Sequence, residues 1–466
     1  MFDSSQIIRS TLGKLVKGKS TFKVEGISTD SRTTRPNELF IPLKGKNFNG
    51  HDFIFAAVKA GARAILIEEK FYKKDKNLLD KLQKDTSCII VSDTLRALGD
   101  LAFFFRKRFA LPIIAVTGSS GKTTTKEMIA AVLSSRYKVL KNQGTQNNLI
   151  GVALNLLKLN PHYEIACFEF GTSSFGEIAR LTEITRPSFA IITNIAQAHL
   201  EKLKSRAGVL LEKSQLLKGL IPPALALINQ DDNYLNRLDS RYNNIFGFGK
   251  EKICDFFACD ISMDVDGFLR FRLKGNKQIF AIRTLGVHNI YNALASISVG
   301  LIFGITGKSI AESLANFEFP PGRFNVIKNR GLTIIDDTYN ANPLSFACAI
   351  ESLKQIRTKG RKFLVLADML ELGHKTRQLH EQLGKTLKQK NFDFLLSLGK
   401  LAAMAAKSSI NHGFNKNKVF TSQDAYELKD KLSSLLRAGD FVLVKGSRAM
   451  QMERIVDFLL KIKVRG

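Results

Sequence analysis

The stretch LPIIAVTGSSGKTTTKE spans residues 111–127 and predicts a short buried strand, a glycine-rich loop and the start of a helix. The glycines allow the backbone to curl so that several N–H groups point at one anion, and the helix N-terminus adds positive charge. Lys122 supplies a cation, and the hydroxyl of Thr123 can bind Mg²⁺. The stretch therefore indicates a loop that binds the phosphates of a nucleotide; a plain glycine-rich turn is the alternative.

The loop differs from the general phosphate-binding pattern GxxxxGK[ST] at its first position, where Thr117 replaces glycine. The Gly-Lys-Thr triplet and the apolar strand before it still favour phosphate binding. The residues that we predict to contact the nucleotide are consecutive: Thr117, Gly118, Ser119, Ser120, Gly121, Lys122, Thr123 and Thr124.

The composition indicates a folded protein of several domains. At 466 residues, a prior of about 150 residues per domain suggests three. Hydrophobic residues make up 44%, which is enough for packed cores. The net charge of +28 favours anionic partners, although a general basic bias of the source proteome would give the same value. Because the chain has no arginine-rich tail and no basic motif with interleaved aromatic residues, we expect no nucleic-acid partner.

The cysteines and the N-terminus indicate a cytoplasmic protein. The five cysteines follow no pattern and include no CxxC, which argues against a zinc site and a disulfide framework. The N-terminus MFDSSQIIRS lacks the apolar core of a signal peptide, and no uninterrupted apolar run reaches about 18 residues. We therefore expect no stable insertion into a membrane.

The alternation of strands and helices predicts an α/β protein with three domains. Residues 1–108 form a small α/β domain, 109–317 a central ATP-binding domain with a mostly parallel sheet, and 318–466 a Rossmann-like domain. Residues 246–283 alternate polar and apolar positions, as antiparallel strands do. The Pro-Pro-Gly segment at 320–322 is the best linker candidate. The other predicted strands are 22–28, 38–43, 64–67, 88–91, 113–116, 137–140, 165–169, 189–193, 225–228, 332–335, 363–366, 394–398 and 441–444, and the main predicted helices are 51–61, 94–109 and 289–303.

Several residues outside the loop are candidates for chemistry, each with a structural alternative. Glu169 ends an apolar strand, at the position where open α/β sheets bind ligands, and its carboxylate can hold Mg²⁺ there. The alternative is a carboxylate that simply faces solvent at the end of a strand. His199 is either a metal ligand or a capping side chain. Asn148 is a donor to sugar or phosphate oxygens, or a helix cap. Taken singly, Lys213 is an ordinary lysine, and Arg323 reaches nucleotide phosphates only when the domains close.

Taken in order, the motifs of the chain resemble those of the Mur ligase family. They are TGSSGKTTTKE, NNLIG, EFGTSSFGEI, TNIAQAHLE, a lysine fourteen residues after that histidine, GVHNIYNA, PGRF, DDTYNANP, LADMLELG and VLVKGSRAMQME. The segment STDSRTTRPNELFIPLKGKNFNGHDF resembles the UDP-sugar-binding domain of the MurE and MurF types. DDTYNANP, VKGSR and the lack of a DNPR segment favour the MurF type. The resemblance spans nearly the whole chain.

Resemblance to the MurF type implies an ATP-dependent acid–D-amino-acid ligase of cytoplasmic peptidoglycan precursor synthesis. In that type, ATP phosphorylates the carboxylate of UDP-N-acetylmuramoyl-tripeptide, and the amine of D-alanyl-D-alanine attacks the acyl phosphate. The implied cofactors are ATP and Mg²⁺, and we expect a monomer. Whether the tripeptide ends in lysine or diaminopimelate stays open.

The resemblance also implies roles for single residues in catalysis. Lys122, Glu169, His199 and Lys213 form the implied catalytic set. Thr123 and Glu169 would hold one Mg²⁺, and Glu169, His199 and a carbamylated Lys213 would hold a second. Carbamylation turns a cation into an anionic ligand, which gives a lysine a reason to lie beside a metal.

Other roles implied by the resemblance concern binding. Asn289 would contact the adenine, Arg323 the phosphates and Asp337 the ribose. The implied substrate-binding residues are Ser31, Arg32, Lys44, His51 and Asn148, and a C-terminal segment with Lys445, Ser447 and Arg448 would face the cleft. Gln215 stands where many family members carry glutamate, so any helper role of that carboxylate is lost.

Two other functions stay open as alternatives. One is a related ligase with a different amine or acid, such as a MurE-type enzyme or a folylpolyglutamate synthase, although the DSR-containing first domain argues against the folate branch. The other is a P-loop ATPase that binds nucleic acid, which the charge alone suggests.

Overall fold

The computed structural model describes residues 1–45, 47–74, 77, 79–238, 244–264, 267–356, 358–387 and 392–464. The chain forms two compact units. The first unit comprises residues 1–111, 145–161 and 180–186, and the second comprises 112–144, 162–179 and 187–466. The predicted α/β class is confirmed, because parallel strands alternate with helices in both units.

The strands and helices are numbered in chain order. The strands are β1 Phe2–Asp3, β2 Lys14–Lys17, β3 Lys23–Val24, β4 Gly26–Ser28, β5 Glu38–Phe40, β6 Ala64–Glu68, β7 Ser87–Val91, β8 Ile113–Thr117, β9 Val139–Lys141, β10 Ile165–Glu169, β11 Phe189–Ile192, β12 Leu225–Asn229, β13 Ile245–Gly249, β14 Phe256–Met263, β15 Phe268–Leu273, β16 Ile279–Arg283, β17 Asn325–Asn329, β18 Leu332–Asp337, β19 Lys362–Ala367, β20 Phe394–Leu398, β21 Val419–Ser422 and β22 Phe441–Lys445. The helices are α1 Ser4–Thr11, α2 Ile54–Lys59, α3 Glu69–Lys74, α4 Thr94–Arg106, α5 Lys122–Ser134, α6 Leu149–Leu156, α7 Glu177–Thr185, α8 Leu200–Leu203, α9 Arg206–Lys213, α10 Gln215–Lys218, α11 Asn289–Ile302, α12 Gly307–Ala315, α13 Pro343–Gln355, α14 Thr376–Leu387, α15 Lys400–Asn411, α16 Ala425–Leu435 and α17 Glu453–Lys461.

The first unit contains a five-stranded sheet in the order β2-β7-β6-β5-β4. Strands β4 to β7 are parallel, and β2 pairs antiparallel with β7. Apolar side chains of β6 and α2 form its core with Phe40. Helix α6 lies in the same unit and packs on α4, although it follows the phosphate-binding loop in the chain. The predicted boundary near residue 108 stays a prediction.

The second unit contains two sheets. The nine-stranded sheet has the order β16-β15-β14-β13-β12-β11-β8-β10-β9, so the strand before the glycine-rich loop lies between β10 and β11. All pairs among strands β8 to β14 are parallel. The last two pairs, β14 with β15 and β15 with β16, are antiparallel. The six-stranded sheet has the order β17-β18-β22-β19-β20-β21 and is parallel except for β17. Both arrangements bring strand carboxyl ends together, where ligands bind in open parallel sheets.

The bounds predicted for β10 and β20 are confirmed, but some other predictions are wrong. The segment 22–28 is two strands, β3 and β4, which belong to different sheets. The helix predicted over 51–61 begins with a 3-10 turn at Gly50–Phe53 before α2. The strand predicted over 137–140 begins only at Val139, as β9. The Tyr137 N–H donates to the carbonyl oxygen of Leu133, so Tyr137 still belongs to the turn that ends α5.

The antiparallel arrangement predicted for residues 246–283 is confirmed only from β14 onward. Strand β13 pairs parallel with both of its neighbours. Gly247, Phe248 and Gly249 are buried in succession. A strand that is buried on both faces fits a parallel sheet better than a half-exposed antiparallel one. In the described part of the chain, none of the helices is long and apolar enough to span a membrane.

Candidate active site

The glycine-rich loop needs both of its glycines. Gly118 has φ +148° and Gly121 has φ +83°, a region that favours glycine. A Cβ on Gly118 would lie 1.9 Å from the hydroxyl oxygen of Thr193, and one on Gly121 would lie 2.6 Å from the amide oxygen of Asn292. Gly121 also begins α5 as its N-cap. The loop therefore turns tightly enough to bring the α5 N-terminus against the end of β8.

The loop after β11 holds the glycine-rich loop in place. The Ser119 N–H donates to the Asn194 carbonyl oxygen at 3.0 Å, and the Ser120 N–H donates to the Asn194 side-chain oxygen at 2.9 Å. The Thr193 hydroxyl donates to the Ser120 carbonyl oxygen at 2.6 Å. In this arrangement the N–H groups of Ser119 and Ser120 point at Asn194. Asn194 was not predicted to bind this loop, because a single asparagine after a strand is more often a cap.

The remaining loop residues are largely enclosed. The Thr117 hydroxyl donates to the Phe170 carbonyl oxygen at 3.0 Å, which joins β8 to the chain after β10. Thr124 is buried. The Ser120 hydroxyl accepts from the amide of Asn342, at 3.0 Å, although Asn342 lies 222 residues further along the chain. This contact with the DDTYNANP motif was likewise not predicted.

Thr123, Glu169 and Arg323 meet at the start of α5. The Thr123 hydroxyl donates to the Glu169 carboxylate at 2.8 Å, and the Arg323 guanidinium donates to the same hydroxyl oxygen at 2.8 Å. Glu169 is 1% exposed. Its backbone N–H donates to the Asn142 side-chain oxygen at 2.9 Å. Arg323 stacks over the Tyr339 ring at 3.6 Å from the centroid. Three residues far apart in sequence, which were predicted to serve the nucleotide and its metal, thus lie together.

Three basic side chains lie near Glu169. Desolvation, with a smaller effect of nearby Arg323, lowers the pKa of Lys122, and Glu169 opposes this. Desolvation also lowers the pKa of Arg323. Lys213 is 2% exposed, and its pKa is lowered well below the ordinary value, first by desolvation and then by Lys122. The charges of Lys122 and Arg323 therefore lie beside one carboxylate and favour a bound polyanion, whereas the lowered pKa of Lys213 favours its neutral amine.

His199 pairs with Glu371, a residue that was not among the predicted ligands. The His199 Nδ1 and a Glu371 carboxylate oxygen are 2.5 Å apart. Both residues have positive φ, +53° and +62°. Among the described residues, no group of three or more His, Cys, Asp and Glu side chains is arranged to hold a metal ion.

The predicted adenine and ribose residues have partners within the protein. Asn289 is buried; its amide donates to the Thr284 hydroxyl at 3.2 Å and its oxygen accepts from Asn292 at 2.8 Å. Burial raises the pKa of Asp337, whereas Lys445, 2.6 Å away, opposes the shift. Lys445, which was predicted to face the cleft without an assigned contact, thus pairs with Asp337, and its predicted place at the cleft stays a prediction.

The first-unit residues predicted to bind substrate form local contacts. Arg32 pairs with Asp30 at 2.6 Å, and this pairing lowers the pKa of Asp30 to about 2. The His51 Nε2 accepts the Glu68 N–H at 3.1 Å, and Asn148 caps α6 by accepting the Gly151 N–H at 2.8 Å. Ser31 is half-buried and Lys44 is exposed. The cap reading of Asn148 is confirmed, and the substrate contacts of all five stay predictions.

Comparison with known proteins gives one consistent result. The model of the Mur ligase family, catalytic domain, matches residues 23–106, the Mur ligase middle domain matches 116–300, and the Mur ligase, glutamate ligase domain, matches 322–448. UDP-N-acetylmuramoyl-tripeptide–D-alanyl-D-alanine ligase of Bacillus subtilis is 36% identical over 439 residues, 94% of this chain and 93% of that protein. The protein of the same name from Escherichia coli is 35% identical over 451 residues, 94% of each chain.

Solved structures agree with the sequence relatives. MurF from Acinetobacter baumannii is similar with a TM-score of 0.87 and 30% identity over 99% of each chain. MurF ligase from Thermotoga maritima in complex with ADP is similar with a TM-score of 0.81 and 30% identity, over 94% of this chain and 97% of that one.

Proposed function

The chain belongs to the Mur ligase family, and from this premise we propose that it joins D-alanyl-D-alanine to UDP-N-acetylmuramoyl-tripeptide with the conversion of ATP to ADP and phosphate. The observation that carries the proposal is the cluster of Thr123, Glu169 and Arg323 at the glycine-rich loop, with Lys122 and Lys213 beside it. The names of relatives at 36% and 35% identity support the choice of substrates.

The proposed reaction has two steps. A carboxylate oxygen of the tripeptide attacks the γ-phosphorus of ATP, and ADP leaves. The dipeptide amine then attacks the acyl carbon, phosphate leaves with that oxygen, and the amine loses a proton. Lys122 and Arg323 would hold phosphate oxygens and offset the repulsion between two anions that react with each other. The ADP held by the Thermotoga maritima relative supports ATP as the nucleotide.

We propose Mg²⁺ as the metal because the oxygens available are of the kind it prefers. The Thr123 hydroxyl and the Glu169 carboxylate are 2.8 Å apart and would contact one ion together. The His199 Nδ1 pairs with Glu371, so His199 would offer Nε2 to a second ion. When bound, Mg²⁺ would supply charge neutralisation between ATP and the substrate carboxylate.

Lys213 fits carbamylation. A buried amine with a lowered pKa is neutral at pH values where an exposed lysine is charged. Only the neutral amine has the lone pair that attacks CO2, forming an N–C bond and releasing one proton. The product carries a carboxylate and would place a second anionic oxygen ligand beside Glu169.

We propose that the enzyme works as a monomer in the cytoplasm. Lysine and diaminopimelate both present the α-carboxylate to which the amine is joined, so the choice between the two tripeptides stays open and is settled by assaying them in parallel.

The proposal predicts that ADP release requires both substrates. Purified protein with ATP and Mg²⁺ is expected to release ADP and form UDP-N-acetylmuramoyl-pentapeptide only when the tripeptide and D-alanyl-D-alanine are both present. Product mass and ADP release are measured with each substrate omitted in turn. ATP turnover that ignores both substrates, or is stimulated by DNA or RNA, would contradict the proposal. Use of an amino acid in place of the dipeptide would indicate a related ligase.

A further inference from the structure

The residue directly before Lys213 is a buried carboxylate. Glu212 lies in the last turn of α9 and is 1% exposed. One of its oxygens accepts the Gly176 N–H at 2.8 Å. The other accepts the Ile178 N–H at 2.7 Å and faces the Thr172 hydroxyl at 3.4 Å. Burying a carboxylate is costly unless donors compensate, so these contacts explain how Glu212 is accommodated.

The donors to Glu212 all come from one short segment. Residues 172–178 follow β10, whose last residue is Glu169. The Glu212 side chain therefore connects the helix that ends at Lys213 to the chain that leaves Glu169. Because Glu212 and Lys213 are neighbours in the backbone, the depth at which Glu212 is held also sets the depth of Lys213.

The chemistry of these contacts requires a carboxylate. Two backbone N–H groups donate to two different oxygens, and only a carboxylate accepts at both positions; a glutamine amide accepts at one and presents a donor at the other. The negative charge of Glu212 favours the charged form of Lys213, which opposes carbamylation. Glu212 therefore does not serve to keep Lys213 neutral. Its contacts instead fix the position of Lys213.

We propose that Glu212 is a positioning residue that fixes Lys213 against Glu169 by binding the backbone of residues 176–178. This inference rests on the proposed ligase function with a carbamylated Lys213. Glu212 does not touch the reacting atoms, and it acts through the helix end on which Lys213 lies.

Glu177 supplies a matched control. Its carboxylate accepts the N–H groups of Ser173 and Ser174, at 2.7 Å and 3.3 Å, and so orders the same segment without a link to α9. Both N–H groups donate to one Glu177 oxygen, which a glutamine amide also supplies. Glu177→Gln therefore removes a negative charge from the same segment and leaves the connection to Lys213 intact.

The test compares Glu212→Gln, Glu177→Gln and the unaltered protein. Glu212→Gln is expected to lower kcat by about 10–100-fold with little change in the KM for ATP, because the glycine-rich loop is untouched. The ¹³C-NMR signal of the lysine carbamate, formed from ¹³C-bicarbonate, is expected to fall with kcat. Glu177→Gln is expected to keep both, and the melting temperature is measured for each variant.

Three other outcomes would overturn the role of Glu212. Equal losses of kcat in both variants would mean that the loss follows from a missing negative charge in the segment and not from the link to α9. An unchanged kcat and carbamate signal in Glu212→Gln would remove its role, and so would an unaltered protein that ligates without a carbamate. An unaltered protein that forms no pentapeptide would instead contradict the proposed function itself.

Discussion

Replacing Lys122 with alanine is expected to lower ligation by at least about 100–1000-fold, or roughly 3–4 kcal/mol of transition-state stabilisation. Lys122 is the first residue of α5 and lies near Glu169, where we propose that phosphate oxygens bind. Desolvation lowers the pKa of Lys122 more than Glu169 raises it, so the folded protein disfavours the charged lysine, and its removal should not lower the melting temperature. kcat, the KM for ATP and thermal unfolding are measured together.

Lys138→Ala is the control for this experiment. Lys138 is an exposed lysine in the same unit, so it changes net charge equally without touching the loop. The control is expected to keep the rate of the unaltered protein. A near-normal rate in Lys122→Ala would exclude the glycine-rich loop from the mechanism, whatever the family resemblance.

Replacing Lys213 with alanine is expected to lower kcat by at least about 100-fold, because the proposed carbamate contributes a charged group in a desolvated site. The truncated side chain leaves space in a buried position. A short carboxylic acid such as acetate or propionate is therefore expected to restore part of the rate, in a concentration-dependent way. The uncharged analogue acetamide is expected to restore none.

Lys218→Ala serves as the control, because Lys218 is exposed in α10, just after Lys213. Full activity of Lys213→Ala would refute the carbamate assignment. Equal rescue by acetate and acetamide would show that the acid fills a cavity and supplies no ligand.

Local features of the chain were predictable from the sequence. The predicted bounds of β10 were correct because its apolar run ends at a single carboxylate, Glu169. The Gly-Lys-Thr triplet located the start of α5. The relation of Thr123 to Glu169 and Arg323 followed from the family resemblance, since their separation in sequence contains no local signal.

Contacts between distant loops were not predictable. Asn194 and Asn342 both bind the loop at Ser120, from positions 74 and 222 residues away, and each resembles a cap in sequence. The pairing of His199 with Glu371 joins two residues 172 positions apart. Glu212 was overlooked because a glutamate in a short helix is usually exposed. Side-chain partners of this kind depend on how the sheets bring loops together, which periodicity does not encode.

ATP is proposed to activate the tripeptide carboxylate, and oxygen transfer from that carboxylate to phosphate tests this step most directly. The tripeptide is labelled with ¹⁸O in the carboxylate that is joined, and the phosphate released with D-alanyl-D-alanine is analysed by mass spectrometry. One ¹⁸O atom is expected in each phosphate, because the carboxylate oxygen leaves with it. Phosphate without ¹⁸O, formed while pentapeptide accumulates, would contradict an acyl phosphate and the role assigned to this site.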